Sequence, residues 1–294
     1  MTIKFIADSA ADLPQNIIDE FDINTFPLYI HHGDDDHYKD GIDMKSDDLY
    51  KRMKAGENFK TSQVAVNDFY KKFCKYAENG EKVIYLSLSS ALSGTFQSAV
   101  LAKQQVLEDF PEFDLTIIDS RSASMGIGLA IYKTIKDYKN GLSEDKLIEK
   151  AKYSSTHMEH IFTVDNLDYL VKGGRLNKVS GFVGSILNIK PIIEINDGSL
   201  EALEKKKGSK RVMKRIVELL KERATNLDNQ TIAIAHAGDR EAAEKLKSKI
   251  EEKSDCNSII ITDIGAVIGV HTGPGAYGVF FINEDKDINK VNIR

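Results

Sequence analysis

The chain has 294 residues, is 41% hydrophobic and 29% charged, and carries a formal net charge of −5. Such a length and balance fit one large or two ordinary α/β domains with a real core. They argue against a general nucleic-acid binder, which carries a basic face, and no stretch approaches the roughly 20 apolar residues of a membrane span. Cys74 and Cys256 lack a C-x-x-C spacing and read as reduced thiols. The opening segment has too few apolar residues before Asp8 for a signal-peptide core, so the expected location is cytoplasmic.

Along the chain, Ile3–Ala7 reads as a buried strand with a polar carboxyl end at Asp8-Ser9. Asp12-Leu-Pro14 opens a helix, with Asp12 as its cap and Pro14 in its first turn. A strand over Ile23–Ile30 precedes a charged, exposed stretch, 31–43. Helices follow over Ser46–Lys54 and Val66–Glu78. Lys82–Leu88, Thr95–Glu108, Leu115–Ile118 and Ala123–Tyr138 then alternate strand and helix, the rhythm of βαβ units in a parallel sheet. Ligands of such sheets bind beyond the carboxyl ends of the strands. Asp8-Ser9, Ser87–Ser90 and Asp119-Ser120 are expected along that rim.

Near residue 150 the rhythm changes. A helix over Ser143–Tyr153 and a strand over His160–Val164 lead to Asp168–Val171 and the turn Lys172-Gly-Gly-Arg175. Strands are expected over Ile186–Ile195, Thr231–Ala237, Ser258–Ile261, Ala266–Val270 and Val279–Ile282, with helices over Ser209–Arg223 and Glu241–Lys253. Strands running back to back imply a mixed sheet. The fold class is therefore a two-lobed α/β protein, with an N-terminal parallel βαβ lobe (1–155) and a C-terminal mixed-sheet α/β lobe (156–294).

Three loops carry candidate chemistry. Ser93-Gly94-Thr95 joins a strand to a helix, where free N–H groups and the helix dipole favour an anion; a helix cap explains the same residues. It matches neither a P-loop nor the G-x-S-x-G elbow of a hydrolase. Thr61-Ser62 is a second hydroxyl-rich helix entrance, able to aim at the same oxygen as Ser93. Gly269–Gly278 holds four glycines beside His271, an arrangement that lets backbone approach a ligand closely and sets an acid or base beside it. Weaker metal candidates are His157 with His160, the stretch His31, His32, Asp34–Asp36 and His37, and a rim set of Asp8, Asp12 and Asp119. Lys205, Lys206, Lys207, Lys210, Arg211, Lys214 and Arg215 form a basic cluster, either solvated or docking an acidic partner. A serine hydrolase using Ser93 and His271 is an alternative, but no carboxylate is evident as third member.

Taken in order, Asp8-Ser-Ala-Ala-Asp-Leu-Pro14, Thr61-Ser-Gln63, Ser89–Ala99, Ile118-Asp-Ser120 with Ser124-x-Gly126-x-Gly128, Leu167–Arg175, Ile189-Lys-Pro-Ile192 and Gly273–Gly278 resemble the DegV family, bacterial fatty-acid-binding proteins. The resemblance runs through nearly the whole chain. It implies a long-chain acyl group in an interior tunnel, with its carboxylate met by Thr61 and Ser93 and by neighbours Ser62, Gly94 and Thr95. His271 falls at the head group, and Arg175 at a phosphate or partner contact. It further implies an acyl-carrying subunit, not itself an enzyme, needing no cofactor. A separate ATP-binding kinase resembling dihydroxyacetone kinase would convert the fatty acid to an acyl phosphate for phospholipid synthesis. Lys205, Lys206, Lys210 and Arg211 are then candidates for kinase docking, and transient membrane contact is compatible with the cargo. A protonated His271 or Arg175 is expected to stabilise the phosphorylated head group.

Overall fold

The computed structural model describes residues 3–176 and 189–284. In chain order its first half contains β1 (Ile3–Asp8), α1 (Gln15–Phe21), β2 (Asn24–Phe26), β3 (Tyr29–His32), β4 (Asp36–Lys39), α2 (Ser46–Lys54) and β5 (Lys60–Ser62). There follow α3 (Val66–Glu78), β6 (Lys82–Ser87), α4 (Thr95–Asp109), β7 (Leu115–Asp119), α5 (Met125–Lys139) and α6 (Glu144–Thr156). β1 and β6 are nearly continuous apolar runs, buried along almost their whole length, as strands covered on both faces must be. With β2 and β7 they form a wholly parallel sheet of order β2-β1-β6-β7. Its carboxyl ends are knitted together: Leu88 N–H donates to Asp8 at 2.7 Å, and the Ser90 hydroxyl to Asp119 at 2.5 Å.

The second half contains β8 (Met158–Thr163), α7 (Asp168–Lys172), β9 (Ile189–Asn196), β10 (Ser199–Lys207) and α8 (Ser209–Arg223). It closes with β11 (Thr231–His236), α9 (Arg240–Glu251), β12 (Ser258–Asp263), α10 (Ala266–Thr272) and β13 (Tyr277–Ile282). The sheet order is β10-β9-β8-β13-β11-β12, with β11–β12 parallel and the other pairs antiparallel. Period-two alternation sends Val279 and Phe281 of β13 to the layer under α8 and α9. Phe280 and Ile282 face the other way, into a core continuous with the parallel sheet. Helix α5 makes that continuity, packing against β1 and β6 on one side and β8, β11 and β13 on the other. It can do so because Gly126 removes a side chain where space runs out: a Cβ there would lie 2.0 Å from His160 Nε2. The α/β class, with one parallel and one mixed sheet, is as expected. The proposed boundary at 155/156 lies in the last turn of α6, ahead of β8.

Four local expectations change. Ile23–Ile30 is two strands: β2 pairs with β1, and after Pro27 the chain leaves that sheet for β3, in a separate antiparallel sheet of order β4-β3-β5. Residues 31–43, expected to be exposed throughout, hold the β3–β4 hairpin, and Asp40 is buried. Asp12 caps no α-helix; it ends a 3-10 turn with φ 51°, and its carboxylate accepts from Gly265 N–H at 2.9 Å and from the Ser124 hydroxyl. Ala266–Val270, strand-like in composition, is helical in α10. A carboxylate 226 residues away decides this, since Asp40 Oδ1 accepts from Ala266 N–H at 3.0 Å and Val267 N–H at 3.3 Å and so caps the first turn. Of the strand expected over Ile186–Ile195, residues 186–188 lie outside the described residues.

Candidate functional site

An interior cavity lies where the carboxyl rim of the parallel sheet, the inner face of the mixed sheet and α10 meet. The space among its lining atoms comes to about 820 Å³ with the open solvent at its mouth included. Leu28, Leu88 and Leu92 line it from the first half, Phe162 and Phe280 from the mixed sheet, and Val267 and Ile268 from α10. Ile195 and Leu200, flanking the β9–β10 turn, add to the apolar wall. Its polar lining is Thr61, Ser62 and Gln63 from β5 and the turn after it, Ser93, Arg175, His271 and Thr272 from the last turn of α10, and Ser124 and His160.

Thr61 and His271, 210 residues apart, meet at 2.8 Å between Oγ1 and Nε2. The small β4-β3-β5 sheet delivers Thr61, and the Asp12 and Asp40 contacts at the start of α10 aim His271. Ser93 Oγ lies 2.9 Å from Thr95 Oγ1 and accepts from Thr95 N–H at 3.2 Å, opening α4. Gln63 donates to Ser98 Oγ at 2.7 Å, and its amide fills the space beside Gly94, where a Cβ would lie 2.0 Å from Oε1. Arg175 donates through Nε to the Leu92 carbonyl at 3.1 Å and through Nη1 to the Gly173 carbonyl at 2.6 Å. Its guanidinium thereby ties the Leu92 loop to the turn after α7.

Burial, and secondarily the nearby Arg175, push the His271 pKa down to about 4. The imidazole is therefore neutral at pH 7. Neutrality sets a rule for Thr61. If Nε2 carries the proton, it donates to Thr61 Oγ1 and the threonine hydrogen is free to donate to a ligand. If Nδ1 carries it, Nε2 consumes that hydrogen. Only the Nε2–H form makes Thr61 a donor to a carboxylate. His271 Nδ1 is buried without a hydrogen-bond partner against Gly173, whose absent Cβ would lie 2.3 Å away.

The family model described as "Uncharacterised protein, DegV family" matches residues 2–284. The chain belongs to the DegV family. A DegV domain-containing protein of Clostridium perfringens is 39% identical over 97% of this chain and 99% of its own. A solved DegV protein of Thermus thermophilus, described for its fatty acid binding, superposes with a TM-score of 0.88 at 27% identity, covering 97% of this chain and 100% of that one. A stearic acid-binding protein of Eubacterium ventriosum superposes at 0.86 with 28% identity, over 96% and 98%.

In this DegV protein Thr61, Ser62, Ser93, Arg175 and His271 all border one cavity. Gly94 and Thr95 stand behind that wall; Thr95 is fully buried and supports Ser93. Lys205, Lys206, Lys210 and Arg211 sit elsewhere, at the end of β10 and the start of α8. There Lys206 pairs with Glu204 at 2.7 Å, and Arg215 with Glu204 at 2.9 Å and Glu222 at 2.7 Å. The rim set of Asp8, Asp12 and Asp119 is not a metal centre. Asp8 accepts from Leu88 N–H and Tyr85, Asp12 from Gly265 and Ser124, and Asp119 from Ser90. Burial holds the Asp8 pKa at about 6 and raises that of Asp12. Among the described residues no His/Cys/Asp/Glu group is arranged to hold a metal, and His157 turns to the Tyr153 carbonyl at 2.9 Å. No helix among the described residues is long and apolar enough to cross a membrane. Gln63, Ser124 and His160 line the cavity without having been singled out as ligand groups. His160 shares its face of β8 with Met158 and Phe162, and only the sheet's neighbours decide which face is inside.

Proposed function

We propose that the protein holds one long-chain fatty acid in this cavity and presents its carboxylate to a separate ATP-dependent kinase. The observation that supports this reading best is an apolar chamber whose wall carries hydroxyls and a neutral imidazole. Burying an acyl chain contributes about 0.8 kcal/mol per CH₂, so the chain supplies affinity and the head group needs only orientation. A carboxylate held by the hydroxyls of Thr61 and Ser93 keeps a lone pair for attack on the terminal phosphorus of ATP. The new O–P bond forms as the bond to ADP breaks, giving acyl phosphate and ADP, a product suited to phospholipid synthesis. The basic segment from Lys205 to Arg215 is a candidate kinase-docking surface, and a cytoplasmic setting suits such a carrier.

A serine hydrolase fits less well. Ser93 is hydrogen-bonded to Thr95 and His271 to Thr61, so nucleophile and base are not paired as acyl transfer requires. Mass spectrometry of an organic extract of the purified protein tests the carrier reading. A fatty acid at one equivalent per chain is expected; stoichiometric labelling of Ser93 by a fluorophosphonate would overturn it. Transfer of label from γ-labelled ATP to the bound fatty acid, only when the kinase is added, tests the second half.

A further inference from the structure

Thr61, Arg175 and His271 line two spaces at once: the interior cavity and an outer cleft on the opposite side. The head-group end is thus a partition one side chain thick. Beyond it the cleft walls carry Lys60 and Lys172, both exposed and with no ion pair among the described residues. Of the two acidic side chains there, Glu57 is engaged by Arg52 at 2.7 Å and by His32 at 3.2 Å. Asp34 sits at the β3–β4 turn and opposes the lysines alone. His31 adds no charge at pH 7, since burial and the facing His37 lower its pKa. The cleft therefore offers two exposed ammonium groups and the rim of a guanidinium to whatever projects through the partition.

Resting on the carrier reading, we propose that this outer cleft receives the phosphoryl group of an acyl phosphate whose chain fills the interior cavity, with Lys60 and Lys172 as its electrostatic contacts. A carboxylate ends at the partition, and hydroxyls satisfy it there. An acyl phosphate extends past its carbonyl by a bridging oxygen and a phosphorus bearing a dianion. Those atoms reach the cleft side, where cations stabilise them. Lysines suit the task because each is a point charge on a flexible stem, able to follow a group that is absent before transfer. The same two residues therefore distinguish product from substrate.

A long-chain 2-oxoalkylphosphonate, with CH₂ in place of the bridging oxygen, mimics the product without hydrolysing. Its dissociation constant and that of palmitate are measured in parallel for wild type and for the K60Q/K172Q protein at low salt. The phosphonate-to-palmitate affinity ratio should fall about tenfold in the variant and recover with K60R/K172R, and the difference should shrink as salt screens exposed charges. An unchanged ratio overturns the assignment. Saturable, lysine-dependent binding of ATP alone to palmitate-loaded protein overturns it too, giving the cleft to the nucleotide. Failure of palmitate to bind wild type would instead sink the carrier reading.

Discussion

Replacing Gly126 by alanine tests the junction of α5, the mixed sheet and the cavity. The added Cβ would lie 2.0 Å from His160 Nε2, 2.8 Å from Cδ2 and 2.9 Å from Cε1, and these are its three nearest neighbours. Comfortable separations are about 3.5 Å, so the imidazole must retreat by about 1.5 Å. Phe280 stands edge-on to it at 5.5 Å between centroids, and both rings border the cavity, which holds the available space. Overpacking of this kind costs about 1–3 kcal/mol, and alanine returns about 1 kcal/mol over glycine within a helix. G126A should therefore lose about 1 kcal/mol, or about 2–4 °C in thermal midpoint for a protein of this size. Displacing room for about two CH₂ groups should weaken palmitate about tenfold. In an H160A background the clash vanishes and the same substitution should stabilise, a coupling of about 2 kcal/mol. Thermal unfolding and palmitate titration of the four proteins decide it. If G126A destabilises equally with and without His160, the steric argument is wrong.

Thr61→Val should weaken fatty acid binding about tenfold, the worth of one hydrogen bond of about 1.4 kcal/mol, while Thr61→Ser keeps most of it; calorimetry distinguishes the two. Each CH₂ added to a saturated ligand should tighten binding about fourfold, at about 0.8 kcal/mol apiece, until the chain reaches the end of the cavity and the series flattens. His271 binds a proton less readily folded, near pH 4, than unfolded, near 6.5. Its contribution is therefore present above pH 6.5 and lost as pH falls toward 4, by about 3 kcal/mol in all. Asp8 and Asp40, with pKa values of about 6, act in the opposite sense, stabilising the fold as pH drops. Comparing wild type with H271Q by denaturant unfolding from pH 7 to 4 removes their share; a stability difference that stays constant would refute a neutral buried His271. Charge reversal at Lys210 and Arg211 should slow acyl-phosphate formation with the kinase at low salt and leave the extracted fatty acid at one equivalent.

Sequence alone determined the layers. Continuous apolar runs such as Ile3–Ala7 have one stable place, the middle of a covered parallel sheet, and Thr95–Glu108 follows its strand at the spacing a crossover helix needs. It also singled out Thr61, Ser93 and His271 as candidates, as hydroxyls at helix entrances and a histidine among glycines, while Arg175 and the head-group roles came from the DegV resemblance alone. What it left open depended on groups far apart in the chain. Ala266–Val270 became a helix because Asp40 caps it, and Thr61 meets His271 because the small sheet and α10 converge. The charge state of His271 was likewise decided by burial and by Arg175, neither readable from its neighbours in sequence. Local pattern fixes most of the elements; the desolvation and hydrogen bonding that arise when distant segments pack decide the rest, and what each polar side chain can do.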